Sequence, residues 1–159
     1  MTNPLLQAHR LPPFSHIEPA HIVPAIEQLI AENRDHLQAL LDGLVARGET
    51  PTWENLVQPL EAEDDRLNQA WSPVSHLHSV LNSDALREAY TDGMALLTAF
   101  STEMGQHAGL FRAYQQLADS DEYSRLNAAQ CKAIDNTLRD FRLAGVALNE
   151  QDKLRYGEV

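Results

Sequence analysis

At 159 residues the chain is long enough for one domain with a real core and short for a two-domain enzyme. Its 12 Lys+Arg against 23 Asp+Glu give a net charge of -11, a surface that repels phosphate backbones and argues against a nucleic-acid partner. The single cysteine, Cys131, excludes an internal disulfide framework, and no apolar run approaches the ~18–20 residues that span a bilayer, so no membrane partner is expected.

The opening MTNPLLQAHRLPPF lacks the basic-then-apolar order of a secretory signal, which makes a cytoplasmic location the simplest expectation. Pro4 and the pair Pro12-Pro13 disfavour early helix, so residues 1–18 read as an extended arm, with Leu11 and Phe14 expected to dock it onto the body. A first helix should start near Pro19 or Ala20 and run to Gly48, where Thr50-Pro51 follows. Ile22, Ile26, Leu29, Ile30, Leu37, Leu40, Leu41 and Leu44 fall on its buried face.

Thr52 to Asn82 carries both tryptophans on one helical stripe: Trp53, Leu56, Val57, Leu60, Leu67, Trp71, Val74 and Leu81, with Ala70, Leu77 and Val80 beside them. This element should organise the others. Asp64 and His78 interrupt the stripe as polar members that need partners if buried. Pro59 and Pro73 interrupt the backbone ladder, which predicts one helix bent near Ser72 or two with a very short joint.

Asn82 or Ser83 can cap the next helix, whose stripe reads Leu86, Tyr90, Met94, Leu97, Phe100, Ser101 and Met104. Gly105 and Gly109 bracket a bend before a short amphipathic helix through Leu110, Phe111, Tyr114 and Leu117. Asn127 followed by Gln130 has the form of a capping box for a helix burying Cys131, Ile134, Leu138 and Phe141, and Gly145 suits its end. Asp135 and Arg139 stand four apart as an expected surface pair worth about 0.3 kcal/mol. A last helix should begin at Asn149, with Glu150 and Asp152 in its first turn, and either end near Gly157 or continue past Val159.

No period-2 run or hairpin signal is present. The pattern predicts an all-α fold of six to seven helices, an antiparallel bundle-like array over 19–159 behind the arm of 1–18. Trp53, Leu60, Leu67, Trp71, Leu97, Leu138 and Phe141 should lie largely buried.

Seven histidines raise the question of zinc, but none is followed by Glu, so the His-Glu-x-x-His signature is absent. His76 and His78 are two apart, which on a helix points their rings about 200° apart; one packed and one solvated histidine is the favoured reading. His16 and His21 flank a helix start and read as surface residues. Glu61, Glu63, Asp64 and Asp65 spread around a helix as a solvated face, with Asp64 the exception, expected to find a hydrogen bond or a buried ion pair with an arginine such as Arg139 or Arg142. Cys131 reads as a small core side chain. The residues by themselves offer no catalytic, metal or cofactor-binding site.

The segments TWENLVQPL and SPVSHLHSV, together with LPPFSHIEPAHIVPAI, SDALREAY, GQHAGLFRAYQQL, LNAAQCKAIDNTLRDFRLAGVAL and the closing RYGE, resemble the N-terminal helical region of the thimet oligopeptidase family of zinc metallopeptidases. The resemblance covers nearly the whole chain. It implies a mostly helical protein several times longer, in which this region forms one wall of a deep channel. The zinc and its His-Glu-x-x-His helix lie in a later catalytic part that degrades short peptides in the cytoplasm. No position here matches that motif, so no catalytic or metal residue is carried over, and RYGE, which opens onto a continuing helix in the family, favours a shortened chain.

Two functional classes compete. One is the inactive N-terminal part of a zinc oligopeptidase, with the catalytic part as partner and peptides as ligands. The other is a stand-alone helical interaction module reusing the fold. On the first, Leu11, Phe14, Leu148, Leu154, Tyr156 and Val159 would be bare apolar surface, and weak self-association is expected.

Overall fold

The computed structural model describes residues 3–81 and 83–148. Five α-helices account for most of them: α1 (Pro19–Arg47), α2 (Gln58–Val80), α3 (Asp84–Gly105), α4 (Ala108–Ala118) and α5 (Ala128–Leu143). No strand occurs among the described residues, so the all-α class holds, with five helices there against the six to seven expected. The expected closing helix from Asn149, and with it Leu154, Tyr156, Gly157 and Val159, lies outside the described residues.

The chain divides into two compact units. The first takes the chain up to His36 together with Glu61–Phe100, and the second takes Leu37–Leu60 together with the chain from Ser101. Each has its own apolar core. Because α1, α2 and α3 each supply residues to both units, the two tryptophans part company: Trp71 packs on the first core and Trp53 on the second.

The first core is made by Ile22, Ala25 and Leu29 of α1, Ala70, Val74 and Leu77 of α2, and Leu86 and Ala89 of α3. Leu5 of the arm joins them. The arm is thus anchored by a residue the spacing did not single out, while Leu11 is 78% exposed and Phe14 40%. Local geometry explains the shift: the Asn3 carboxamide oxygen accepts the Leu5 N–H at 3.0 Å and closes a tight turn over Pro4–Leu6, and its Nδ2 donates to the His21 carbonyl at 2.7 Å. Phe14 does meet the body, its ring centroid 5.2 Å from that of His76.

In α2 the covered stripe is narrower than the apolar pattern. Ala70, Pro73, Val74 and Leu77 are buried, Leu67, Trp71 and His78 half-buried, and Val80 and Leu81 exposed. The helix runs unbroken through Ser72 and Pro73. Asp64 is exposed, and no described residue bonds to it, which corrects the expected buried partner. In α3, Met94 is exposed and Leu97 half-buried, whereas the small residues Ala89 and Gly93 are buried. A Cβ on Gly93 would stand 2.8 Å from Cζ3 of Trp71, so only glycine lets that indole lie against α3. Tyr90 stacks on both Trp71 (5.0 Å) and His78 (3.9 Å).

The second core gathers Leu37 and Leu44 of α1, Leu56 and Val57, and the facing stripes of α4 and α5. Phe111 and Tyr114 set their rings 5.7 and 5.9 Å from Phe141. Trp53 and Leu60 pack here half-buried, and Leu138 and Phe141 are buried as expected. The chain enters α2 through one π-helical turn, Trp53–Val57. Shortly after it comes Pro59, which has no N–H to give to the carbonyl of either Glu54 or Asn55.

Helix ends are satisfied locally. Thr52 and Asn55 form a reciprocal capping box at 3.0 and 2.6 Å. The Ser83 hydroxyl accepts the Leu86 N–H at 3.3 Å, while Asn82 lies outside the described residues. Asn127 and Gln130 make the expected box, with Asn127 accepting at 2.9 and 3.0 Å and donating its N–H to Gln130 at 3.0 Å. Gly145, at φ +80°, ends α5 with Val146 N–H on the Phe141 carbonyl and Gly145 N–H on that of Arg142, the pattern that only a left-handed residue closes.

Candidate functional site

The residues with chemical potential are held mostly in structural work. His107 is the N-cap of α4, its Nδ1 accepting the Leu110 N–H at 3.0 Å. His21 does the same for the Glu18 N–H at 3.1 Å at the start of α1. His78 is stacked on Tyr90 and half-buried, His76 is exposed against Phe14, and the two share no ligand-holding geometry. His16 is exposed, and the Nε2 of His9 lies 3.0 Å from the Pro4 carbonyl.

The acidic run divides. Glu63 pairs with His36 at 2.7 Å and lies 4.0 Å from Arg66, whose guanidinium reaches Glu32 at 2.6 Å. The Glu32 carboxyl is held below its ordinary range, first by the hydrogen bond from the Gln28 amide and then by Arg66, against some desolvation. Asp65 accepts from the Gln69 amide at 2.6 Å. The Asp64 carboxyl, though its residue is exposed, is pushed up by partial desolvation and then by the charges of Glu61 and Glu63. These are surface pairs of α1 and α2, each worth at most about 1 kcal/mol.

Cys131 is half-buried rather than a full core residue, its thiol directed at the Tyr123 carbonyl 3.5 Å away. The expected Asp135–Arg139 pair is not formed. Asp135 instead accepts the Tyr123 hydroxyl at 2.7 Å, which pushes that phenol up to about 12, and Arg139 turns to Asp140 at 2.8 Å. A neutral hydroxyl delivered by the preceding turn outcompetes a long flexible arginine that must be immobilised. That turn is itself tied to the distant start of the π-helical segment, where Glu122 accepts the Trp53 N–H at 2.9 Å.

The resemblance to zinc peptidases makes a metal the natural test. Among the described residues no three His, Cys, Asp or Glu side chains converge as ligands, and the described histidines sit apart in the roles above. The described residues do not fit a zinc centre. None of the described helices is long and apolar enough to cross a membrane.

One concave feature of the first unit is a groove of about 480 Å³ between the arm and helices α1 and α2. Arg10, Leu29, Arg66, Asn68, Ser72 and Pro73 line it, and no Asp or Glu does. None of these was marked by the sequence pattern as a site. The one signal that could have found it is the polar pair Asn68 and Ser72, one helical turn apart beside an apolar stripe.

Comparison with known proteins bears on the whole chain. The family model of the neurolysin/thimet oligopeptidase N-terminal domain matches residues 26–153. Oligopeptidase A of Salmonella typhimurium is 52% identical over all 159 residues, and that of Escherichia coli 51%. An organellar oligopeptidase A of Arabidopsis thaliana is 31% identical over 158 residues, 99% of this chain and 19% of its own length. The chain spans 23% of the length of the two bacterial relatives. By a family match across most of its length, the chain belongs to the neurolysin/thimet oligopeptidase N-terminal domain family.

Proposed function

We propose that the chain acts as the N-terminal helical part of a zinc oligopeptidase, an arm of residues 1–18 and a helical domain of 19–159 that walls a substrate channel. On this reading the catalytic part, with its zinc and His-Glu-x-x-His helix, comes from outside the chain, and the substrates are short peptides in the cytoplasm. On the same reading the chain itself supplies no catalytic or zinc-binding residue, and among the described residues no three potential ligands converge. The observation that carries the reading is identity of 51–52% along the entire chain to proteins named oligopeptidase A, of which it spans 23%.

What the chain contributes is shape and support. Each of the two units has an apolar core of its own, and a firm surface is what positions a flexible peptide for reaction elsewhere. The test is a chimera in which this chain replaces the corresponding quarter of the Escherichia coli relative. It should keep stoichiometric zinc and chelator-sensitive cleavage of a fluorogenic peptide, while this chain alone shows neither. Turnover by the chain alone that survives repurification, or a well-folded chimera with zinc and no activity, overturns the reading.

A further inference from the structure

We propose that Asn33 is the release point of a conformational joint: it uncouples the two cores, so that the first unit opens while the second stays folded. Among the described residues Asn33 is the one polar side chain that is buried, 8% exposed in the middle of α1. It stands four residues after Leu29, which belongs to the first core, and four before Leu37, which belongs to the second. On a helix that spacing puts all three on one stripe. The apolar stripe of α1 is interrupted at this one position.

The contacts around Asn33 are polar as well. Arg66 of α2 reaches Glu32 at 2.6 Å, Glu63 reaches His36 at 2.7 Å, and the Arg34 guanidinium stands over the Phe100 ring of α3 at 5.7 Å. All of these residues belong to the first unit, at the end of its share of α1 and α3 and near the start of its share of α2. Between Leu60 and Leu67, α2 offers only Glu61, Ala62, Glu63, Asp64, Asp65 and Arg66, none of them buried. No hydrogen bond ties the Asn33 carboxamide to a described residue, and no unsatisfied side-chain atom is sealed from water, so the carboxamide keeps an edge in solvent.

A local opening is passed on only through the contacts that it breaks. Apolar contacts in a dense interior pass it on strongly, because a lost neighbour leaves a void. Half-exposed ion pairs pass it on weakly, since salt screens them and water takes up both partners when they part. A carboxamide that already touches water loses little when the turn beside it opens, whereas a leucine in its place would lose its burial. The turn from Glu32 to His36 is thus where cooperative opening of the first unit should stop.

The test uses this chain alone and no catalysis, so its outcome is separate from that of the peptidase reading. Native-state amide exchange is followed at Val74, Leu77 and Leu86 for the first core and at Leu117 and Leu138 for the second, with and without Ile134→Val. Ile134 is fully buried in the second core. Loss of its methylene should speed exchange at Leu117 and Leu138 about fivefold and leave the first group within about twofold of the parent. With Asn33→Leu in place the apolar stripe is continuous, and adding Ile134→Val should speed both groups alike. Asn33→Met is run beside it, its unbranched chain adapting to the space that the carboxamide leaves. Acceleration of the first group by Ile134→Val in the parent chain overturns the joint. A first group that stays insensitive in both Asn33 variants overturns the role of Asn33.

Discussion

The two cores reach the same end by different means. The first rests on long helices brought close together: Gly93 admits the Trp71 indole to van der Waals contact with α3, and Tyr90 stacks between residues a full two turns apart on α2. The second is assembled from shorter pieces, and its strength lies in their ends. Thr52 with Asn55, His107, Asn127 with Gln130, and Gly145 each satisfy backbone groups that a short helix leaves open. A short helix has few internal hydrogen bonds per terminus, so its caps weigh more in its balance than those of a long one.

The largest expected effect breaks the second core. Leu117 of α4 is fully buried, and Leu117→Ala should cost about 2–5 kcal/mol in denaturant unfolding, with amide-exchange protection lost first in α4 and α5. Protection lost first around Tyr90 and Trp71 would undo the assignment of separate cores. Gly93→Ala should come next. Its Cβ must displace the Trp71 ring, which predicts overpacking of about 1–3 kcal/mol and a changed emission from that indole in a Trp53→Phe background. An unchanged spectrum with full stability would show that the close approach is not what builds the first core.

The smallest effect concerns the outer edge of α2. Asp64 is pushed up by desolvation and by Glu61 and Glu63, so its ionisation opposes folding. A carboxyl whose folded-state pKa is raised binds its proton more tightly when folded, and stability falls as pH rises through that value. Asp64→Asn should therefore stabilise at neutral pH, by no more than about 0.5 kcal/mol, and the gain should vanish in acid where Asp64 is already protonated. Asp65→Asn, which keeps an acceptor for the Gln69 amide and removes only the charge, should show no such gain. Melting temperatures at neutral and acid pH separate the two, and parallel behaviour would remove the distinction.

The sequence by itself determined what depends on neighbours a few residues away. Helical periodicity, the Asn127–Gln130 box, a cap at Asn82 or Ser83, and Gly48 and Gly145 as stops are all decided within about one turn of chain. The absence of a His-Glu-x-x-His run was equally legible, since that motif is a matter of spacing. Tertiary structure alone decided which members of each stripe are covered. An apolar pattern says which face can be buried, but a partner must be present along its whole length, and so Val80, Leu81 and Met94 stand in solvent while Gly93 and Leu5 do not. It also decided the long-range bonds, Glu122 to Trp53 across 69 positions, and Tyr123 taking Asp135 from Arg139. The groove belongs with these: Arg10 and Asn68 are unremarkable in the sequence, and they line one cleft only because Leu5 and Asn3 fold the arm back over α1 and α2.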